Sequence, residues 1–277
     1  MRAYRAILEV HSGGPVYEFT GVHVKTLIYA LARELRIFRG IRGIVSPVHL
    51  SPLFRVGKSD MELGDLVSPM YRWNREKGGW VLNPVELEGE YIFHFGGDDV
   101  IASKIASYLR ELRSPLAVKI GDSIVTYKLE RLEDVTDSIR EKVSVGNRVR
   151  VYLKAPAMIF NVFTRSKLPK FSPTAVEVLM VPYMLVVGAH TFSQGILDSS
   201  LDVLGGLVET WYSLNTLRPV MVPYKGKREA ALMGQVTYIV EVSPRHRRRV
   251  EDIVAVAEIA GIGESRQNGF GTVVVQA

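Results

Sequence analysis

The chain has 277 residues, enough for one large domain or two of ordinary size, and 47% of them are hydrophobic, which excludes a largely disordered protein. It contains no cysteine, which excludes disulfides, cysteine-based zinc sites and thiol catalysis. The longest apolar stretch, residues 176–189, contains Glu177 and Pro182 and is too short to span a bilayer, so no membrane partner is expected. The start MRAYRAILEV lacks the apolar region of a signal peptide, and the chain is therefore predicted to be cytoplasmic.

Lysine and arginine number 35 against 29 acidic residues, which gives a formal net charge of +6. This charge alone fits an ordinary soluble protein as well as it fits a protein that binds a polyanion. The basic residues, however, concentrate in three groups, which indicates a surface for phosphates. The groups are Arg33, Arg36, Arg39 and Arg42; the run KGKR at 225–228; and the run RHRRR at 245–249.

The first half of the chain has the pattern of a βαββαβ unit. The predicted elements are a strand at 2–11, a helix from Thr20 to about 37, strands at 44–56 and 80–95, a helix from Asp98 or Asp99 to about 112, and one or two strands over 116–132. Residues 57–79 are predicted to form a polar loop or a hairpin extension. The first helix is predicted from apolar residues that recur at helical spacing.

The second half repeats this order. The predicted elements are a strand at 148–163, helices at 173–188 and 199–214, strands at 218–223 and 232–242, a helix at 244–260 and a strand at 272–275. The charged segment 133–147 is predicted to be a linker. The fold class is therefore α+β, with two tandem ferredoxin-like (βαββαβ, RRM-like) domains at 1–132 and 148–277.

The segment 261–271, GIGESRQNGFG, has two G-x-G pairs separated by five residues that include Arg266. Glycine permits positive φ and close backbone approach, so such a loop can direct several amides at a phosphate. It is not a dinucleotide-binding motif, because the glycines follow a helix and precede a strand, the reverse of the required order. The G-K-[ST] ending of a P-loop is also missing. For Gly261 alone, a helix C-cap is the better interpretation.

The pattern G-h-G, five residues with a basic one, then G-h-G resembles the C-terminus of the CRISPR repeat-processing endoribonucleases of the RAMP superfamily. The sequences LMGQVTYIVEV (232–242) and LIYALARELR (27–36) are also similar to the last strand before the final helix and to the first helix of that family. The resemblance implies tandem ferredoxin-like domains and metal-independent cleavage of CRISPR repeat RNA. In that reaction the ribose 2′-hydroxyl attacks the adjacent phosphate and leaves a 2′,3′-cyclic phosphate. No cofactor is implied.

Lys25 and Tyr29 are four residues apart on the predicted first helix, away from its leucine stripe, a position suited to contact a ribose or a phosphate. A merely solvated helix face fits this pattern equally well. Tyr29 matches a catalytic tyrosine of some family members, but no histidine lies at 39–42, where those members carry their catalytic histidine. His23 and His49 are the remaining candidates for acid–base chemistry, although either is more simply a structural residue.

The predicted RNA-binding residues come from the basic groups and from the glycine-rich segment. They are Arg33, Arg36, Arg39, Arg42, Lys225, Lys227, Arg228, Arg245, Arg248, Gly261, Gly263, Ser265, Arg266, Gly269 and Gly271. On this interpretation, Arg266→Ala weakens RNA binding and leaves thermal stability nearly unchanged.

Three functions remain open: a repeat endoribonuclease, a non-catalytic RAMP-type subunit that holds guide RNA, and an enzyme of small metabolites with incidental basic patches. The expected partner in the first two is CRISPR repeat RNA or its mature crRNA product. Effector-complex proteins and a second copy of the chain stay open as further partners. The third function would require a pocket of acids and bases around a cofactor motif, and the sequence has none.

Overall fold

The structure is a computed structural model that describes residues 1–32, 45–58, 61–159, 161–163, 173–210 and 213–277. In these residues the strands form two antiparallel sheets of seven strands each. The strands are β1 Arg2–Ser12, β2 Val48–Leu50, β3 Phe54–Val56, β4 Leu63–Leu66, β5 Met70–Asn74, β6 Gly79–Asn83, β7 Glu88–Gly97, β8 Leu116–Ile120, β9 Ser123–Asp134, β10 Arg148–Ala157, β11 Leu207–Glu209, β12 Arg218–Tyr224, β13 Lys227–Val240 and β14 Val273–Gln276. The helices are α1 Thr20–Leu31, α2 Asp99–Glu111, α3 Thr136–Glu141, α4 Ala175–Val186, α5 Gln194–Leu204, α6 Ser213–Thr216 and α7 Pro244–Ala260.

The first sheet has the order β4-β3-β7-β1-β9-β8, and β2 also pairs with β7. Its central strand, β1, lies between β7 and β9, as the first strand of a βαββαβ unit lies between the third and the fourth. Helices α1 and α2 pack against this sheet, and their buried apolar residues form a core with it. They include Val24, Leu27, Ile28, Ala102, Ile105 and Leu109.

The second sheet has the order β14-β10-β13-β12-β5-β6, and β11 also pairs with β13. Strands β14, β10, β13 and β12 repeat the ferredoxin-like order, and α4 and α7 supply buried residues to the core on this sheet. The hairpin of β5 and β6 comes from the first half of the chain. It extends the second sheet through the pair Tyr71 and Met221.

Two ferredoxin-like units in tandem, the predicted α+β fold class, are confirmed. The boundaries 1–132, 133–147 and 148–277 stay a prediction. Residues 133–147 contain the end of β9 and all of α3, in which Thr136 and Ile139 are buried. Small apolar clusters also join the two units; one of them combines Ile7 and Phe54 with Ala155.

Several elements differ from the sequence predictions. The predicted strand 80–95 is two strands in different sheets, because Pro84 has no amide for a ladder and follows directly after β6. The predicted helix 199–214 is α5, which begins at 194 because the Ser193 hydroxyl caps the amide of Ile196. Residues 57–79 contain β4 and most of the β5–β6 hairpin, while the strand predicted over 148–163 ends at 157.

Local cap signals were the most accurate guide to helix boundaries. Of the two residues predicted to start α2, Asp98 is the cap and accepts from the amides of Val100 and Ile101. Helix α7 has the predicted bounds, with proline in its first turn. Helix α1 begins at Thr20, as predicted, but Thr20 is not its cap, and its hydroxyl donates to the carbonyl of Val67. The described part of α1 ends at 31, and the predicted continuation to 37 lies outside the described residues.

Nowhere in the described ranges does a helix combine the length and the apolar character needed to cross a membrane.

Candidate nucleic-acid interface

The glycine-rich segment 261–271 follows α7, contains a 3-10 turn at Arg266–Asn268 and leads into β14. All four glycines have positive φ, between 65° and 95°, as the sequence predicted. Gly261 is the C-cap of α7, and its amide donates to the carbonyl of Ala257. The four glycines are nevertheless buried. Their conformational freedom therefore serves packing inside the protein.

The close approach that glycine permits at this loop is to the protein's own backbone. A Cβ on Gly269 would lie 2.4 Å from the Cα of Gly21 in α1, a distance that no side chain tolerates. The amides of Ile262 and Gly271 donate to the carbonyls of Gly271 and Pro156, and the amide of Glu264 donates to that of Met158. These amides are thus already occupied. The loop joins α1 to the second sheet.

Arg266 is 3% exposed and lies in the interior. Its guanidinium donates to the carbonyls of Ala260 and Ser46, at 2.5 Å each, and so links the end of α7 to the residues before β2. Burial lowers its pKa to about 10, so that it is still charged at neutral pH. The bonds to two carbonyls make Arg266 a structural cation.

These contacts correct the prediction for Arg266, Gly261, Gly263, Gly269 and Gly271. They were expected to present bare amides and a guanidinium to an RNA backbone, and instead they face protein groups. The glycines do allow a tight backbone approach, but the groups they approach belong to the protein itself, among them Gly21 in the first half of the chain and Met158 in the second. Ser265 is half-buried in a left-handed conformation, and its role in RNA binding stays a prediction.

His49 is fully buried at the same junction. Its Nδ1 lies 3.1 Å from the carbonyl of Arg266, which can only accept, so Nδ1 carries the proton. Its Nε2 lies 3.1 Å from the Thr272 hydroxyl, which then donates to it. Burial, and next the neighbouring His94, hold the pKa of His49 well below its usual range. His49 is a structural residue, which corrects its assignment as a catalytic candidate.

His23 is also buried, on the inner side of α1. Its Nδ1 lies 3.3 Å from the hydroxyl of Tyr127, and burial lowers its pKa to about 4. A side chain with 1% exposure cannot reach a phosphodiester, so the catalytic assignment of His23 is corrected as well. His23 lies on the buried side of α1 together with Val24 and Leu27, which belong to the core of the first unit.

Lys25 lies on the outer side of α1, half-buried against the glycine-rich segment. Its ammonium donates to the side-chain oxygen of Asn268 at 2.8 Å. Burial, and next the charge of Lys225, lower the pKa of Lys25. The exposed turn between β12 and β13, which carries Lys225, therefore lies close enough to Lys25 for the two charges to interact. The structure brings together two residues that are 200 positions apart in the sequence.

Tyr29 lies one turn beyond Lys25 on α1 and is 53% exposed. The β12–β13 turn supplies Lys225, Lys227 and Arg228, all exposed. The Lys225 ammonium lies 5.0 Å from the ring centre of Tyr224, a buried residue that packs on Phe270. We name the exposed or half-exposed group the basic surface; its members are Lys25, Tyr29, Lys225, Lys227 and Arg228.

The other predicted cations lie elsewhere. Arg245 and Arg248 are exposed at the N-terminal end of α7, whereas the glycine-rich segment follows its C-terminal end. The 17 residues of α7 make it about 25 Å long, so these arginines form a separate patch. The predicted ligands Arg33, Arg36, Arg39 and Arg42 lie outside the described residues.

Sequence reasoning missed two neighbours of the basic surface. Asn268, inside the glycine-rich segment, holds Lys25 in place. Tyr71 of β5 lies under Arg228, with the guanidinium 5.8 Å from its ring centre. The alternation of tyrosine and tryptophan before the pair Gly78-Gly79 was a strand and turn signal that could have found the hairpin.

No family model matches the sequence, and no curated protein is significantly similar to it. Solved structures do match over nearly the full length. The chain has the fold of Cas6 and RAMP structures.

Three of these structures illustrate the likeness. A Cas6 product complex of Thermus thermophilus is 14% identical with a TM-score of 0.63, and 98% of each chain is covered. A Cas6-related protein from Pyrococcus furiosus is 12% identical with a TM-score of 0.58, covering 99% of this chain and 98% of that one. A RAMP protein described as binding different RNA substrates is 13% identical with a TM-score of 0.56 and 99% coverage of both chains. At such low identities, the structural likeness shows that the fold is shared.

Proposed function

We propose that this chain binds CRISPR repeat RNA and cleaves it to mature guide RNAs. The observation that carries the proposal is the likeness of the whole chain to Cas6 structures, among them product complexes. The basic surface adds physical support, because lysines and an arginine beside an exposed tyrosine suit contacts with phosphates and bases.

The proposed reaction needs no metal, because the nucleophile is part of the substrate. The ribose 2′-oxygen forms a bond to the adjacent phosphorus while the bond from phosphorus to the 5′-oxygen breaks. A base removes the proton of the 2′-hydroxyl, and an acid delivers a proton to the departing 5′-oxygen. The products are a 2′,3′-cyclic phosphate and a 5′-hydroxyl. Negative charge grows on the phosphorane oxygens, so fixed cations stabilise the transition state.

Lys25 is the proposed proton donor to the 5′-oxygen. Its ammonium has a lowered pKa, which makes it a readier acid than an exposed lysine. The bond to Asn268 uses one of its three N–H donors and fixes its direction. Lys225 and Lys227 supply the positive charge around the phosphorane. Tyr29, one helical turn from Lys25, is placed to contact the ribose.

A second candidate function is a non-catalytic RAMP-type subunit that holds guide RNA, together with effector-complex proteins. The observation that favours it is the burial of both histidine candidates, His23 and His49. This function uses the same basic surface and the same RNA. The two proposals therefore differ only in whether the bound phosphodiester is cut.

One experiment separates them. Labelled CRISPR repeat RNA is incubated with the protein in EDTA, beside an RNA that has a single 2′-deoxyribose at the scissile position. A single cut that survives chelation and disappears with the deoxy substrate supports the endoribonuclease. Tight binding of both RNAs without a cut supports the subunit that holds RNA. Weak binding that does not depend on salt contradicts both proposals, because phosphate contacts release counterions.

A further inference from the structure

The hairpin of β5 and β6, residues 70–83, exposes two large aromatic side chains. Trp73 and Trp80 lie directly opposite each other on the two strands and are 56% and 42% exposed. Their ring centres are 5.8 Å apart at an interplanar angle of 79°. Soluble domains bury most of their tryptophan surface, so an exposed pair at the tip of a hairpin indicates a binding site.

The tryptophan pair is continuous with the basic surface. Tyr71 and Trp73 are two residues apart on β5 and therefore lie on the same sheet face. Tyr71 lies opposite Met221 of β12, and the Arg228 guanidinium is 5.8 Å from the Tyr71 ring. A strip of side chains thus runs from the β12–β13 turn through Arg228 and Tyr71 to Trp73 and Trp80.

The same hairpin is positively charged. Arg75 and Lys77 are exposed at the turn beside the rings, whereas Arg72 is exposed on the opposite face of β5. Glu76 is the single acid between residues 70 and 83. Aromatic faces give attraction to any base through stacking, and the cations around them attract the backbone phosphates. The combination fits unpaired nucleotides better than it fits a double helix, whose bases are already stacked on each other.

We propose that Trp73 and Trp80 form a stacking platform for unpaired bases of the bound RNA, next to the basic surface. The inference rests on the proposed function and deepens it, since it assigns the hairpin to a single-stranded segment of the substrate. Stacking makes no hydrogen bonds to base edges, so the platform accepts different base sequences.

Intrinsic fluorescence tests the proposal directly. The chain has three tryptophans, and in the variant Trp211→Phe selective excitation of tryptophan, at a wavelength that tyrosine does not absorb, reports on Trp73 and Trp80 alone. We expect single-stranded oligoribonucleotides to quench this emission, and a blunt duplex of the same length to quench it much less. Equal quenching by both RNAs contradicts stacking of unpaired bases.

Binding measurements with matched variants complete the test. Trp73→Val with Trp80→Val keeps residues that favour strands and removes both rings, and we expect affinity for single-stranded RNA to fall roughly tenfold or more. Trp73→Phe with Trp80→Phe retains ring faces and should restore much of the affinity. Ile124→Ala, at an exposed apolar residue of β9, is the control and should bind as the wild type does.

The outcomes distinguish the two proposals. If the valine variant binds single-stranded RNA as tightly as the wild type, the platform does not exist, while the proposed function stands. If the phenylalanine variant loses as much affinity as the valine variant, ring stacking is also excluded. If the wild-type protein binds no RNA of either kind, the proposed function fails and the platform fails with it.

Discussion

Lys25 lies where helix α1, the glycine-rich segment and the β12–β13 turn meet. Its ammonium is oriented by Asn268, and its pKa is lowered by burial and by Lys225. A cation held in this way contributes to the transition state without reorganisation when charge develops on the substrate. Lys119 on β8, in contrast, is simply exposed to solvent.

We therefore expect Lys25→Ala to reduce the rate of repeat-RNA cleavage by about 100-fold, in the range of a lost general acid. RNA affinity should fall much less, because Lys225, Lys227 and Arg228 remain. Single-turnover cleavage and filter binding measure the two effects separately. Lys119→Ala is the matched control; an equal rate for both variants contradicts the role of Lys25.

Arg266 belongs to the interior. Arg266→Ala removes two hydrogen bonds from a charged donor and leaves the carbonyls of Ala260 and Ser46 without them, a loss of about 3 kcal/mol in the free energy of unfolding. Chemical denaturation measures this loss. Arg245→Ala, at an exposed arginine, should cause no measurable loss. An Arg266→Ala variant that is as stable as the wild type would restore the surface interpretation that the sequence suggested.

At the residue scale, the sequence predicted what depends on local spacing. Lys25 and Tyr29 share a helix face because they are four residues apart, and both reach the surface as expected. The burial of His49 and of Arg266, in contrast, involves a direct contact between residues that are 217 positions apart in the sequence. No local pattern contains such a contact. A basic residue between glycines therefore has the same signature whether it binds RNA or the other half of its own chain.

At the element scale, the packing of α1 on the glycine-rich segment positions the basic surface. Gly21 is the second residue of α1, and a Cβ there would lie 2.2 Å from the carbonyl oxygen of Asn268. The contact brings the 3-10 turn close enough for Asn268 to bind Lys25. Helix and loop must therefore separate if this position carries a side chain.

We expect Gly21→Ala to destabilise the fold by about 1–3 kcal/mol, the usual range for overpacking, and to slow cleavage through the displaced Lys25. Gly195 is also the second residue of its helix, α5, and a Cβ there meets nothing within 4 Å. Gly195→Ala should be neutral or stabilising by up to about 1 kcal/mol. Thermal unfolding of both variants compares the two. A Gly21→Ala variant with unchanged stability would exclude tight packing at this contact.

Element boundaries were predictable where the signal lies within a few residues. Pro244 and Gly261 enclose α7, and Asp98 starts α2. Residues 57–79 were predicted as a polar loop or a hairpin extension, and the sheet they join was not predicted, because the pairing partner of β5, β12, lies about 150 residues further along the chain. The assignment of the hairpin to the second sheet is a tertiary fact that no window of sequence contains.

At the scale of the whole molecule, three buried histidines make stability depend on pH. Burial lowers the pKa of His23 to about 4 and of His94 to about 3, and it lowers that of His49 well below 6.5. The unfolded chain, with histidine pKa values near 6.5, therefore binds more protons between these values. The contribution of these histidines to the free energy of unfolding is fully present above about pH 6.5, and it decreases as the pH falls towards the pKa values of the folded state.

Denaturant midpoints at pH 7.5 and pH 5 measure this effect. We expect the lower midpoint at pH 5, with each buried histidine contributing at most about 1.4 kcal/mol per pH unit. Cleavage measured between pH 6 and 8 should show no step from His23 or His49, because both stay neutral there. A midpoint that is equal or higher at pH 5 contradicts the burial of these side chains.

The most direct test of the account is to locate the RNA on the protein. The wild-type protein is irradiated with repeat RNA that carries 4-thiouridine at successive positions, and the crosslinked peptides are identified by mass spectrometry. Crosslinks on the peptides around Tyr29 and residues 225–228 are the predicted result. Crosslinks confined to Arg245 and Arg248 at the far end of α7 would contradict it, because the RNA would then lie on another surface.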